Sequence, residues 1–170
     1  MSNAIFIRDK AWKGKNLIPK WVKGEISLDQ YYTTNSIAKY CWESFQSIMK
    51  KEKVNISNFT FVEPSAGGGA FYNQLPITHR IGIDISGASS EYIQEDFLTW
   101  KPTSNKCLVI GNPPFGHRGW LALAFLNKAA EFSEYAGFIL PMAFQSEGKG
   151  SPKYRVKSMK LIHSEVIDNN

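Results

Sequence analysis

Residues 111–116, Gly-Asn-Pro-Pro-Phe-Gly, form the segment of this sequence with the clearest chemical character. They follow an apolar run, and their two prolines restrict the backbone and remove two N–H donors. Because Asn112 precedes a proline, its backbone favours an extended conformation. The pattern predicts a rigid turn with free carbonyl oxygens, one amide and an exposed Phe115 ring. This turn suits a planar group that carries –NH2. The amide oxygen can accept a hydrogen bond from the –NH2 group, and the Phe115 ring can stack on the plane. The alternative is a rigid loop with Phe115 in the core.

A glycine-rich loop precedes this turn in the chain. Residues 61–71 predict a strand that ends at Glu63, a turn through Gly67–Gly69 and the start of a helix. Glycines permit positive φ and the close approach of a ligand, and a helix N-terminus offers free N–H groups. Glu63 would repel a phosphate, so the loop favours a ligand that carries an ammonium and a carboxylate.

Acidic residues end two further predicted strands. Asp84 lies about 20 residues beyond the glycine loop, the separation at which nucleotide-binding units place an acid on ribose hydroxyls. Asp96, with Phe97 beside it, ends the next strand and suits an adenine amine. Each acid alone could be a solvated strand end or a helix cap. Together with Glu63 and Asn112 they predict one ligand site at the carboxyl edge of a sheet.

These motifs together resemble the S-adenosylmethionine-dependent N6-adenine DNA methyltransferases. Residues 63–71 resemble the first motif of that family, and residues 112–115 resemble its catalytic motif. Residues 29–34, Asp-Gln-Tyr-Tyr-Thr-Thr, resemble its N-terminal element, which usually ends Thr-Pro. Their place before the glycine loop resembles the gamma order of motifs. The resemblance implies a catalytic domain over residues 29–170 that methylates the N6 amine of adenine in DNA with S-adenosylmethionine.

The resemblance also implies roles for individual residues. The catalytic turn would consist of Asn112, Pro113, Pro114 and Phe115. The cofactor would be held by Tyr32, Thr33, Glu63, Pro64, Ser65, Gly67, Gly69, Asp84, Ile85, Asp96, Phe97 and Asn112. In that set, Tyr32 and Thr33 would meet the methionine end, Glu63 the ammonium, Asp84 the ribose hydroxyls and Asp96 the adenine amine. The candidate residues for binding substrate phosphates lie near the catalytic turn and in a later basic stretch: His117, Arg118, Lys149 and Lys153.

Composition favours an anionic partner for a single domain of 170 residues. The net charge is +5 and the pI about 9.1, which suits nucleic acid. Residues 1–28 are predicted to be an irregular basic arm with interleaved tryptophans, which suits phosphate pairing and base stacking. The two cysteines and three histidines lack metal-ligand spacing, so no metal site is predicted. With no signal peptide and no membrane span, a cytoplasmic protein is predicted.

The order of predicted elements indicates an α/β protein. Strands are predicted near residues 59–63, 80–85, 91–95, 106–111, 136–140 and 161–168. Helices are predicted after Thr34 and near residues 119–133 and 153–159. This alternation and the resemblance predict a Rossmann-like methyltransferase fold, a mostly parallel sheet with helices on both faces. Its last antiparallel strand is expected to be missing, which leaves an open edge and predicts a homodimer or a missing recognition subunit.

Three other functions fit the same motifs. The first is the same chemistry on adenine or guanine in RNA. The second is methylation of a glutamine amide in a protein, which Phe115 disfavours because such enzymes usually carry Tyr there. The third is a non-catalytic subunit that binds the cofactor or DNA within a larger complex.

Overall fold

The computed structural model describes residues 1–9 and 31–168 as one six-stranded sheet with flanking helices. The strand order is β3-β2-β4-β5-β1-β6. The strands are β1 (Ser2–Arg8), β2 (Thr60–Glu63), β3 (Arg80–Gly82), β4 (Cys107–Gly111), β5 (Ser133–Leu140) and β6 (Met159–Val166). The pairs β2–β3, β2–β4 and β4–β5 are parallel, whereas β1 is antiparallel to both β5 and β6. The sheet is therefore mixed.

The prediction of a Rossmann-like methyltransferase fold with helices on both faces of the sheet is wrong. The described part of the chain has only two α-helices, α1 (Asn35–Lys51) and α2 (Trp120–Ala129), and its other helical segments are 3-10 turns of three or four residues. The two links that would have carried crossover helices, residues 64–79 and 83–106, are rich in glycine, proline, serine and asparagine. These residues favour turns and disfavour helix interiors, so the links fold as turns. The result is a strand-rich mixed sheet.

The first residues of the chain also differ from the prediction. Residues 1–28 were expected to be irregular, but Ser2–Arg8 form β1 in the interior of the sheet. Ala4, Ile5 and Phe6 are buried there. An antiparallel strand is thus present between β5 and β6, whereas β3 and β6 form the two edges of the sheet. The homodimer or missing recognition subunit stays a prediction. The rest of the predicted arm, from residue 10 onward, lies outside the described residues.

Helix α1 begins after Thr34, as its apolar spacing predicts. The Thr34 hydroxyl accepts a hydrogen bond from the Ile37 N–H at 3.3 Å and caps the helix. On the buried face, the Trp42 ring meets Phe61 of β2 edge-on, with ring centroids 5.3 Å apart. Gly137 of β5 leaves room for the Phe45 ring. Helix α1 therefore packs on the sheet across β2 and β5.

Several other elements are shorter than their sequence pattern predicts. The strand expected near 91–95 is a single parallel bridge between Ile83 and Ile93. The helix expected near 153–159 is a 3-10 turn over Pro152–Arg155. Helix α2 lies within its predicted range but ends at Ala129, because β5 starts at Ser133. Within residues 1–9 and 31–168, no helix combines the length and apolar character needed to cross a membrane.

Candidate functional site

A cavity of about 400 Å³ lies where β2 and β4 end. This volume falls in the range of sites that bind small molecules. Its walls come from the segment before α1, the glycine-rich loop after β2, the loop after β3 and the turn after β4. Eight of the predicted site residues line it: Tyr32, Thr33, Glu63, Ser65, Gly67, Asp84, Asn112 and Pro114. Four segments that are distant in sequence therefore meet at one cavity.

The glycine-rich loop is held against the end of β3. The Gly67 N–H donates to Asp84 Oδ2 at 2.7 Å, and the Ala66 N–H donates to the Ile83 carbonyl at 2.9 Å. Gly67 and Gly69 have positive φ values of 47° and 82°, a region that favours glycine. No α-helix follows the loop, so the prediction of a helix N-terminus here is wrong. Only a 3-10 turn over Tyr72–Gln74 forms before Pro76.

Asp84 stabilises this loop by accepting a hydrogen bond from the loop backbone. Its Oδ2 accepts from Gly67, and its Oδ1 accepts from the Ser86 N–H at 2.8 Å and from the Ser86 hydroxyl. A carboxylate offers about four acceptor positions, so roughly one remains for a ligand hydroxyl or amine. The predicted role of Asp84 toward a ribose is compatible with this count but stays a prediction.

Glu63 is the most perturbed acid of the cavity. Its side chain is only 3% exposed, and burial raises the pKa of its carboxyl well above the ordinary value. A hydrogen bond from the Tyr72 backbone lowers this pKa, while the nearby Asp84 charge raises it. Glu63 Oε2 has no hydrogen-bond partner among the described residues. A cationic group in the cavity would supply that partner and stabilise the ionised carboxylate.

Asn112 is held on both sides of the turn after β4. Its Nδ2 donates to the Tyr31 carbonyl at 2.9 Å and to Thr33 Oγ1 at 2.8 Å. On the other side, the Ser65 hydroxyl donates to the Asn112 backbone carbonyl at 3.1 Å. Asn112 Oδ1 is shielded from solvent and has no partner within the described ranges. The amide therefore keeps one unused acceptor.

Phe115 does not offer the exposed ring that the turn predicts. Its side chain is 7% exposed, and the Tyr31 ring packs on it with centroids 5.1 Å apart and planes tilted by 36°. Its carbonyl accepts from the N–H groups of Leu121 and Ala122 at the start of α2. The alternative interpretation, a Phe115 ring in the core, describes this conformation. Tyr31 covers the surface on which a planar substrate would stack.

The predicted adenine-binding pair lies away from the cavity. Asp96 Oδ1 accepts from the Leu98 N–H at 2.9 Å and caps its own turn. Phe97 is 1% exposed and packs on Phe125 of α2 with ring centroids 5.2 Å apart. Ile85 is 63% exposed and does not line the cavity. Asp96 and Phe97 thus stabilise the link between β3 and β4.

The predicted phosphate contacts are also outside the cavity. His117 and Arg118 lie in a 3-10 turn before α2, and Lys149 lies in an exposed loop. Lys153 pairs with Glu147 at 2.5 Å. Three further predicted residues do not line the cavity: Pro64, Gly69 and Pro113. In residues 1–9 and 31–168 no group of three histidine, cysteine or acidic residues could hold a metal ion.

Eight residues that sequence reasoning did not select line the cavity: Tyr31, Asn35, Ala66, Gly68, Ala70, Phe71, Ser86 and Ala88. Ser86 had a readable signal, because Asp-x-Ser favours the turn in which a carboxylate accepts from the residue two positions on. Tyr31 lay within a noted motif without a role. Ala66, Gly68, Ala70 and Phe71 stand in or next to the glycine run. Comparisons of the chain with models of known families, with curated proteins and with solved structures find no match, so its function has to be argued from these residues.

Proposed function

We propose that this chain transfers a methyl group from S-adenosylmethionine to the N6 amine of adenine in DNA. The observation that carries the proposal is the state of Asn112. Its amide nitrogen is fully engaged with the segment 31–33, and its Oδ1 is an unused acceptor at a cavity with acidic and glycine-rich walls. A buried acceptor without a partner costs about 1–3 kcal/mol, so an incoming N–H donor would be favoured there.

The cavity has groups suited to the cofactor. Glu63, with its unpartnered Oε2, would hold an ammonium group, and the remaining acceptor position of Asp84 would take a hydroxyl. Ser86 and Ala88 line the cavity beside Asp84 and would contact the adenine part in place of Asp96 and Phe97. Bound there, S-adenosylmethionine would supply a methyl group on a positively charged sulfur.

The chain would act on the amine by accepting its hydrogen bonds. The adenine N6 lone pair is conjugated with the ring, so the amine is a weak nucleophile. Acceptance of an N–H bond by Asn112 Oδ1 would favour a pyramidal nitrogen and stabilise the positive charge that develops on it. As the new N–C bond forms, the bond from the methyl carbon to the cofactor sulfur would break, and the sulfur would leave as a neutral thioether. No general base is needed before attack, because the N6 proton becomes acidic as the new bond forms and would then pass to water. Much of the rate gain would come from alignment.

A substrate base must displace one contact before it can stack. Because the Tyr31 ring covers Phe115, this ring has to move for the base to reach Phe115. Tyr31 is 58% exposed, so the movement breaks one aromatic contact and little else of its side-chain packing. A base in duplex DNA must also leave the stack, which implies base flipping.

The test is methyl transfer from labelled S-adenosylmethionine to unmethylated DNA and, in parallel, RNA, followed by mass spectrometry of the nucleosides. We expect N6-methyladenine from DNA. Asn112→Ala should lower turnover by roughly 100-fold, the usual effect of removing one preorganised polar group. Asn58→Ala, at an exposed turn outside the cavity, is the matched control and should keep full turnover. Equal turnover of the Asn112 variant and the control would contradict the mechanism.

The covered Phe115 favours a second candidate function. A subunit that binds the cofactor and needs a partner chain to move Tyr31 would keep the cavity but have no open base site. Cofactor binding with no label in either nucleic acid would support this candidate. Label in RNA alone would keep the mechanism and change the substrate.

A further inference from the structure

We propose that Thr33 is a positioning residue for Asn112. Its hydroxyl holds the Asn112 amide with the nitrogen hydrogen-bonded and the oxygen free for a substrate amine. The inference rests on the proposed function, because it concerns how the same turn selects a group that donates hydrogen bonds. It assigns to the Thr33 hydroxyl a role toward the protein amide, distinct from the contact with the methionine end of the cofactor that the motif suggests.

The two ends of the Asn112 amide have opposite hydrogen-bonding character. Nδ2 carries two donors and Oδ1 carries two acceptor positions. Only the oxygen end can accept from an –NH2 group, whereas a reversed amide would present donors to donors. The orientation of this one side chain therefore decides whether the turn attracts an amine or repels it.

The segment 31–33 determines that orientation. The Tyr31 carbonyl can only accept, and it lies 2.9 Å from Nδ2. A reversed amide would place two oxygens at that distance, which is unfavourable. The Thr33 hydroxyl lies 2.8 Å from the same Nδ2 and takes its second hydrogen. Both hydrogens are thus used, and Oδ1 is left without a partner in the described part of the chain.

The position of Thr33 is itself fixed by the helix that follows. Thr34 caps α1 through its bond from the Ile37 N–H, so residue 33 is held one position before the capping residue of a well-packed helix. Neighbouring Asn35 lines the same cavity. A hydroxyl fixed in this way restricts rotation of the amide more than a water molecule would, because its place is set by packing.

Loss of the Thr33 hydroxyl should let the Asn112 amide rotate without changing the shape of the cavity. In Thr33→Val the side-chain shape is kept, but Nδ2 retains only the Tyr31 carbonyl. We expect turnover to fall roughly 3- to 10-fold, the change that corresponds to one neutral hydrogen bond. Affinity for the cofactor should fall less than turnover, since the acids and the glycine loop are untouched. Thr33→Ser keeps the hydroxyl and should restore turnover.

The experiment pairs this kinetic comparison with a readout that needs no activity. Hydrogen exchange of the Asn112 side-chain amide is followed by nitrogen-15 NMR, with the signal identified by its loss in Asn112→Asp. We expect faster exchange in Thr33→Val than in the wild type, slow exchange in Thr33→Ser, and no change in Thr103→Val at an exposed site outside the cavity. Chemical unfolding of each variant checks that the fold is intact.

The outcomes separate this inference from the proposed function. Unchanged exchange in Thr33→Val, or a weaker cofactor affinity with unchanged turnover, would overturn the positioning role. If the wild type transfers no methyl group but exchange rises in Thr33→Val and not in Thr33→Ser, the positioning role stands and the proposed function fails. If Thr33→Val does not fold, slow exchange and full turnover in Thr33→Ser support the role, and altered exchange in that variant overturns it.

Discussion

The buried carboxyl of Glu63 gives the sharpest prediction on stability. Burial is the main cause that raises its pKa well above the ordinary value of 4.5. A group whose pKa is raised in the folded state contributes stability that is fully present below the unfolded pKa and is lost as pH rises through the folded pKa. Glu63→Gln, which keeps the shape and stays neutral, should therefore be more stable than the wild type near neutral pH.

The size of this effect follows from the linkage of proton binding to folding. Between about pH 4.5 and the folded pKa, the unfolding free energy of Glu63→Gln should exceed that of the wild type by a margin that grows with pH. The slope of this growth should approach about 1.4 kcal/mol per pH unit. The measurement is the free energy of unfolding in urea at pH 5, 5.5 and 6 for both proteins. A margin that stays constant over this range would contradict the argument that Glu63 is buried without compensation for its charge.

Glu165 of β6 is the matched control, because its pKa moves the other way. Burial raises the pKa of its carboxyl, but hydrogen bonds from Asn3, Tyr40 and Ser44 outweigh that and lower it overall. Its contribution is present above the unfolded pKa and is lost as pH falls. Glu165→Gln should therefore be less stable than the wild type near neutral pH, with a difference that shrinks in acid. The same trend in both variants would mean that a general effect of pH had been measured.

Two substitutions test the packing that shapes the site. Gly137→Ala should destabilise the fold by about 1–3 kcal/mol, because the new methyl would lie 2.7 Å from the Phe45 ring; Gly150→Ala, with no atom within 4 Å of the added carbon, should change the unfolding free energy little. The free energy of unfolding of Tyr31→Ala should be about 0.5–1.5 kcal/mol lower than that of Tyr31→Phe, because the Phe variant keeps an aromatic ring on Phe115. Equal unfolding free energies within either pair would refute the contact invoked.

Local patterns were enough to select half of the residues that line the cavity. The strand ending at Glu63 and the strand before Asn112 were readable from short apolar runs followed by Gly and Pro turns. Because parallel neighbours end at the same edge of a sheet, Glu63 and Asn112 were expected to come together although they are 49 positions apart (112 minus 63), and both line the cavity. The start of α1 after Thr34 was also predicted correctly, because the apolar spacing that indicated it lies within the helix itself.

Two of the errors concern features that depend on distant partners, and one concerns a competing contact within a turn. Residues 2–8 carry too short an apolar run to be recognised as a strand, and their partners in β5 and β6 lie more than 120 positions away. Asp96 is of a residue type that can bind an adenine amine, but its carboxylate accepts a hydrogen bond from the N–H of Leu98, two positions further along the chain. The exposure of Phe115 depended on Tyr31, which approaches it through the tertiary fold.

The placement of β1 has a consequence for how the chain is made. Ser2 pairs with Leu140 and with Val166, so β1 leaves the ribosome long before either neighbour exists. At synthesis rates of about 5–20 residues per second, the 138 positions between Ser2 and Leu140 correspond to a wait of roughly 7–28 s. During this time Ala4, Ile5 and Phe6, buried in the finished sheet, have no strand to pair with. The nascent chain therefore presents an unpaired apolar segment that a chaperone could hold until β5 and β6 emerge.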